Sequence, residues 1–403
     1  MISQFRVQHY KALRDVTLEL TPMHVLIGPN DSGKTSLLEA LQILSRTLDH
    51  DLQEAIPKRP PEQFFTFGDM SSPMELAVRI NGNAEMGVEY RVQLNRSGEH
   101  WTVADSIAVD PSQEVDLSSS RDPSGHSGAF GWLRNEEQRA MQAGGPPSEE
   151  MDKALRKLDR SLRGAQFYRW IPRFLASPAT LNESRRFRME ESGFGLPTML
   201  DDILGYDVAL FGKIQARFAE IFPEVERIIL RTEQGYSEQP ASSEKTPNTS
   251  GKGLAIKFKH MNEPLSVASV SDGYLLILAY LALMHSPKPP PVLLIEEPEN
   301  GIHPRRLGEV MDMLRALNAE DDGPQIIMTT HSPDLVDLFA PEEVTLCLKE
   351  DDGSISTHRL SESEVVQQQK GVFTLGEIWG GEMDTVLAHG RSNPSETRKG
   401  SGS

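Results

Sequence analysis

The sequence predicts an α/β fold, and three places where a short apolar strand gives way abruptly to polar residues predict it. Met23 to Ile27 reads as a buried strand and runs into Gly28-Pro29-Asn30-Asp31-Ser32-Gly33-Lys34-Thr35-Ser36, which satisfies G-x-x-x-x-G-K-[ST] at every required position. Val292 to Ile295 is a second apolar run, and it ends in the paired carboxylates Glu296-Glu297. Gln325 to Thr329 is a third, ending in Thr330-His331-Ser332-Pro333.

Each strand end has a chemical reading. A triphosphate is wrapped by backbone N–H groups, so glycine is wanted wherever a side chain would block close approach, and a helix N-terminus adds partial positive charge. The helix is present: from Thr35 to Leu48, apolar residues fall at 37, 38, 41, 43, 44 and 48. Lys34 is placed to reach the β- and γ-phosphates of ATP, and Thr35 to hold Mg²⁺. Burial forbids two carboxylates at the end of an apolar strand unless they face a cation or water. Glu296 is therefore read as a Mg²⁺ ligand acting through water, and Glu297 as the group that orients or deprotonates the attacking water. His331 stands at the C-terminal edge of a strand, where α/β sites collect their ligands.

The remaining elements follow in chain order. Ile2 to Gln8, Val16 to Leu20, Met74 to Ile80 and Gly87 to Leu94 read as strands, the last two joined by a hairpin turn at Asn81-Gly82-Asn83. A turn-rich stretch lies around Pro57 to Pro61, and from Pro111 to Pro147 the Ser, Gly, Pro and acidic composition argues for loop. Met151 to Arg163 is an amphipathic helix, with Met151, Ala154, Leu155, Leu158 and Leu162 on one face. Asp201 to Phe222 reads as a helix and Val225 to Thr232 as a strand. Glu233 to Gly253 reads as a polar linker, and Gly253 to His260 as a strand again. Tyr274 to His285 is an apolar helix that follows Ser271-Asp272-Gly273. The expected division is a first lobe over 1–110, a helical and basic insertion over 111–224, a second lobe over 225–390 and a polar tail over 391–403.

Composition bounds the function. The chain has 403 residues, 38% of them hydrophobic, and a net charge of −18. That charge argues against coating nucleic acid with the whole surface. One segment runs the other way: Asp152 to Arg188 holds ten Lys or Arg against three acids, a local +7. Phe167, Tyr168, Trp170, Phe174 and Phe187 are interleaved with them. Two readings stay open for this segment: a DNA-binding patch, with Arg156, Arg160 and Arg163 on phosphates and aromatics under bases, or a solvated helix face over core aromatics. The single cysteine, Cys347, allows no intrachain disulfide and fits a cytoplasmic setting. The longest apolar run, Tyr274 to Met284, is too short to span a bilayer, and the N-terminus carries no signal pattern.

Taken together, these motifs resemble the ATP-binding-cassette class of ATPases, in the branch that holds RecF, SMC and OLD proteins, over residues 1–50 and 265–350. Gly28 to Ser36 resembles Walker A, Leu293 to Glu297 Walker B with its catalytic glutamate, Ser271-Asp272-Gly273 the signature motif, Glu299 to His303 the D-loop, and His331 the switch histidine. The Walker B acid is Glu296 where transporters usually carry Asp, and the signature is shortened. The Q-loop is unplaced, with Gln63 as a candidate. The resemblance implies a mixed sheet with an antiparallel β lobe, a head-to-tail homodimer with ATP sandwiched against Ser271 and Gly273 of a second copy, and ATP hydrolysis with Mg²⁺. No run of acidic ligands like the Toprim half of OLD nucleases is evident, and no heptads predict SMC-type arms. The stretch from Phe373 to Leu387 resembles stand-alone RecF-like ATPases that gate a separately encoded effector, such as a nuclease in bacterial phage defence. A RecF-like repair ATPase that binds DNA directly is the alternative.

Overall fold

A computed structural model describes residues 1–48, 55–56, 63–69, 71–80, 87–97, 100–108, 114–116, 149–182, 186–240 and 249–390. The chain forms two compact units, one of residues 1–165 and 327–403, the other of residues 166–326. This differs from the expected division at 110 and 224, for a reason visible in strand pairing and given below.

Unit 1 opens with β1 (Ile2–Tyr10), β2 (Leu13–Glu19) and β3 (Met23–Ile27), then α1 (Lys34–Arg46). β4 (Met74–Ile80), β5 (Val88–Ser97), β6 (His100–Ala108) and β7 (Glu114–Asp116) follow, and α2 (Glu149–Leu162) closes this part. Six strands make an antiparallel sheet in the order β2-β1-β4-β5-β6-β7. Its inward residues, among them Phe5, Val7, Leu76, Val78, Tyr90 and Val92, are buried, as alternation requires of a sheet wetted on one face. The hairpin turn read at 81–83, the loop at 57–61 and most of 111–147 lie outside the described residues.

Unit 2 begins with β8 (Gln166–Tyr168), a strand too short to stand out in the sequence, and α3 (Pro172–Leu175). The single helix expected over 201–222 is two: α4 (Leu196–Tyr206) and α5 (Val208–Ile221). Asp207 breaks them, its carboxylate accepting from Ala209 N at 2.7 Å as the cap of α5. β9 (Val225–Gly235) and β10 (Thr249–Phe258) pair from Thr249↔Gly235 through Phe258↔Val225. This corrects the linker read over 233–253: both ends of that stretch are strand, and their composition is polar because most side chains of β9 face water. Residues 241–248 lie outside the described residues. β11 (Leu265–Ser266) adds a third strand to this sheet. α6 (Asp272–Met284) then runs through the interior with every residue from Leu275 to Leu283 buried, so its composition is apolar all round. β12 (Val292–Glu296) and α7 (Leu307–Asn318) complete the unit.

β13 (Gln325–Thr329) carries the division between the units within it. Its first residue is tied in unit 2, by Gln325 N to Pro291 O at 2.9 Å, and its end in unit 1, by Thr330 N to Leu26 O at 3.1 Å. Unit 1 continues with α8 (Pro333–Val336), β14 (Val344–Lys349), β15 (Ile355–Arg359), α9 (Glu364–Gln369), α10 (Leu375–Gly381) and α11 (Asp384–His389). β14 is parallel to β3 (Val344↔Val25, Leu346↔Ile27) and antiparallel to β15, which makes the mixed pairing. In unit 2, β12 is parallel to β8, with Leu293↔Gln166 and Ile295↔Tyr168. These two parallel pairings place the last stretch of chain in unit 1 and the segment after 165 in unit 2.

Candidate nucleotide-binding and hydrolytic residues

In unit 1 the loop after β3 has the backbone that a phosphate cradle needs. Gly28 sits at φ +133°, and a Cβ there would lie 2.2 Å from the carbonyl oxygen of Cys347, so only glycine fits against β14. Gly33 at φ +80° caps α1 with no side-chain hydrogen bond, so no side chain covers the positive end of the helix. Lys34 is 6% exposed, and its Nζ donates to Gly28 O and Pro29 O, both at 2.8 Å, and to Ser32 Oγ at 3.3 Å. The ammonium lies folded on the loop it belongs to, against carbonyls that stand where phosphate oxygens would compete for it. Asp31, at φ +65°, forms an ion pair with Lys349 at the end of β14. The bond from Thr330 to Leu26 puts the exposed His331 one residue past that tie, at the edge of β3 from which the loop departs. Next to it, Ser332 caps α8 by accepting from Leu335 N at 3.4 Å. Gln63 is exposed.

In unit 2 the two glutamates have unequal surroundings. Glu296 ends β12 with its side chain 7% exposed, and the Nε of Arg169, on the residue after β8, stands 3.4 Å from its Oε2. That separation is an ion pair and not a well-aligned hydrogen bond. Glu297 has φ +47°, a left-handed conformation costly for a residue with a Cβ. Asn300 holds it there: its side-chain amide donates to Glu297 Oε2, and its backbone N–H donates to Glu297 O at 3.0 Å. Tyr280 donates to Pro298 O at 3.4 Å from below. A cavity with an empty volume of about 500 Å³, open to solvent, is lined by Tyr168, Arg169, Trp170, Glu296, Glu297 and Asn300. The buried Trp170 Nε1 in its wall has no hydrogen-bond partner.

Ser271 and Asp272, both exposed, open α6, whose first turn is clamped from outside. Tyr274 donates to Glu224 and stacks on Phe222 at 4.1 Å, and burial with that carboxylate pushes its phenol up to about 12. Gly301 at φ +79° passes close over α6, where a Cβ would meet Leu276 Cδ1 at 2.8 Å. Gly273 faces the Gly301 carbonyl, 3.8 Å from an added Cβ. Residues 271–276 and Gly301 are thus one packed corner of unit 2.

In the basic segment the rings and the charges part company. Phe167, Tyr168, Phe174 and Phe187 are buried, and Trp170 packs edge-on against Tyr280 at 4.6 Å. The four buried rings are core and offer no platform for bases. On α2, Arg156 pairs with Asp152 at 2.8 Å and Arg163 with Asp159 at 3.0 Å, each one turn away, while Arg160 is exposed. Among residues that sequence reasoning missed, Asn300 stood inside a recognised loop without a role. Lys349 and Arg169 carried no local signal, since each is defined by a strand neighbour remote in sequence.

Fold and loop together define an ABC-class P-loop ATPase. A solved structure of the SmcHead bound to the C-winged helix domain of ScpA aligns with 90% of this chain and 99% of that one, at a TM-score of 0.54 and 14% identity, which establishes the shared fold. The chain belongs to the family described as "AAA domain, putative AbiEii toxin, Type IV TA system", whose model matches residues 23–337. It is 20% identical over 393 residues to an ATP/GTP phosphatase of Helicobacter pylori, covering 87% of this chain and 93% of that protein. It is 28% identical over 81 residues to an OLD nuclease of Thermus scotoductus, a match confined to 20% of this chain and 15% of that one. No described helix is long and apolar enough to cross a membrane.

Proposed function

We propose that the chain is an ATP-binding and ATP-hydrolysing switch that gates a separate effector. The observation that carries the reading is the loop after β3, where Gly28 leaves room for nothing beyond hydrogen and Lys34 is parked on loop carbonyls. The residues fit Mg²⁺-ATP: backbone N–H groups and an ammonium suit phosphate, while a threonine hydroxyl and a carboxylate are the hard oxygen donors that Mg²⁺ prefers. The cradle formed by residues 28–36 binds the phosphates, with Lys34 moving from carbonyls to the β- and γ-oxygens. Thr35 and Glu296 hold the metal ion, which when bound supplies charge neutralisation at the phosphates. Glu297 orients and deprotonates the attacking water, and its clamped backbone fixes the carboxylate for that task. His331 steadies the same water or the γ-phosphate.

Ser271 and Asp272 lie exposed at the start of a 13-residue helix, with Gly273 next to them, which supports a role in closing over ATP held by a second copy, head to tail. The output is a change of dimer geometry read by a partner, a Toprim-type nuclease in phage defence. Exposed Val372, Phe373 and Met383 around half-buried Trp379 support docking at that end of unit 1. Phosphate release by Glu297→Gln is the test: a fall of at least a hundredfold with ATP still bound supports the assignment, and wild-type turnover removes it.

A further inference from the structure

Away from the nucleotide loop, unit 1 brings together three side chains that no step above uses. Glu350 is the first residue past β14, His358 lies on β15, and His389 is the last residue of α11. Their ligating atoms, one from each residue, all lie within 4.8 Å of one another. His389 Nε2 stands 3.8 Å from Glu350 Oε1, and the two imidazoles meet edge to face with centroids 4.9 Å apart. We propose that Glu350, His358 and His389 form a binding site for a borderline divalent transition metal, of which zinc is the first candidate.

Two of the ligands are set before any metal arrives. The β14–β15 hairpin is locked by the pairs Leu346↔His358 and Lys349↔Ile355, and its turn by Glu350 N to Ser354 O at 2.8 Å and Gly353 N to Glu350 O at 2.9 Å. Ser356 ties both side chains, its hydroxyl bonded to the Glu350 carboxylate and 2.9 Å from His358 Nε2. Such outer contacts orient ligands and tune their basicity. Only His389 comes from a remote element, a six-residue helix closed by Gly390 N to Val386 O at 2.9 Å.

The donor set selects the metal class. Two imidazoles and one carboxylate suit zinc and its neighbours, whereas Mg²⁺ and Ca²⁺ prefer all-oxygen shells, so this site does not compete for the ion that accompanies ATP. Three protein ligands with Glu350 and His389 partly exposed leave room for a water in the fourth position. Present separations exceed those across a zinc tetrahedron, so binding draws His389 toward the hairpin and pins α11 to it. The consequence is structural, a metal-dependent clasp on the last helix.

The experiment uses the full chain, stripped with EDTA and free of nucleotide, titrated with zinc against a chromogenic chelator. One tight equivalent is expected in the wild type. His389→Gln, made at an exposed helix end, should weaken that equivalent at least tenfold, and Ser356→Ala should weaken it less. Cobalt in place of zinc should give the intense visible bands of a four-coordinate site, lost in His389→Gln. Glu350→Gln, a second ligand variant, should weaken the equivalent as His389→Gln does, and replaces it should His389→Gln fold poorly. A wild type that takes up no zinc, or a His389→Gln variant that binds zinc as the wild type does, overturns the proposal.

Discussion

The loop after β3 is made of backbone, and the loop after β12 is made of side chains. In the first, the decisive features are a glycine at φ +133° with no room for a methyl group and a helix start with no side-chain cap. In the second, a glutamate is bent into a left-handed conformation and held by the amide of Asn300, while its neighbour faces a guanidinium. Backbone sites bind by shape and fail sterically. Side-chain sites do chemistry and fail with the fold intact. The difference teaches where a substitution will be felt: in stability and affinity at the first loop, in turnover at the second.

Gly28→Ala sharpens that contrast most. Its Cβ would sit 2.2 Å from Cys347 O at a φ that strains any L-residue, so a loss of about 3 kcal/mol is expected from strain and overpacking combined. Thermal melting should show a drop of several degrees, together with loss of ATP-induced stabilisation. A melting point like the wild type's would mean that the cradle is softer than its geometry.

The strand beneath the loop gives a pH-dependent version of the same test. His24 on β3 is fully buried between Thr21 and Thr345, and burial, with a smaller push from Arg359, lowers its pKa to about 3. The ordinary value is 6.5, so between pH 6.5 and about 3 the unfolded chain binds a proton that the folded chain does not. Stability should therefore fall as pH drops below 6.5, by about 1.4 kcal/mol per pH unit at most. Urea denaturation of wild type and His24→Gln at pH 7 and pH 5.5 checks this; the variant should lose the part of the slope that His24 supplies.

At the second loop, Arg169→Ala should leave the fold unchanged. An ion pair whose arginine is 66% exposed contributes about 0–1 kcal/mol, so the Mg²⁺ concentration for half-maximal hydrolysis should fall by no more than about fivefold. A rise in that concentration would mean that Arg169 supports the metal site and does not compete with it. The smallest effect belongs to α2: Arg156→Ala breaks one pair spaced by a helical turn and should cost about 0.3–0.5 kcal/mol in urea denaturation.

What the sequence made legible follows the same division. The loop after β3 could be read residue by residue, because glycine spacing encodes backbone conformation locally. The glutamates were visible because carboxylates at the end of an apolar run contradict burial, and Ser271 to Gly273 because a helix start is a local event. Arg169 and Lys349 were not visible, since each acquires its partner through parallel strand pairing that no periodicity reveals. β8 was equally hidden: it is three residues long, and its pairing with β12 decides which unit residue 166 joins. The aromatics near Trp170 left two readings open, a stacking surface or core, because interleaved charge hides which face of a chain is buried.

In the proposed cycle ATP closes two copies and hydrolysis opens them. Sedimentation velocity of Glu297→Gln with Mg²⁺-ATP tests it most directly, compared with the same variant carrying Ser271→Arg, whose bulky cation should block the helix start. A dimer is expected in the first sample, a monomer in the second, and a monomer in both when ATP is withheld. A Glu297→Gln chain that binds ATP and still sediments as a monomer, or a dimer indifferent to ATP and to Ser271→Arg, would contradict it.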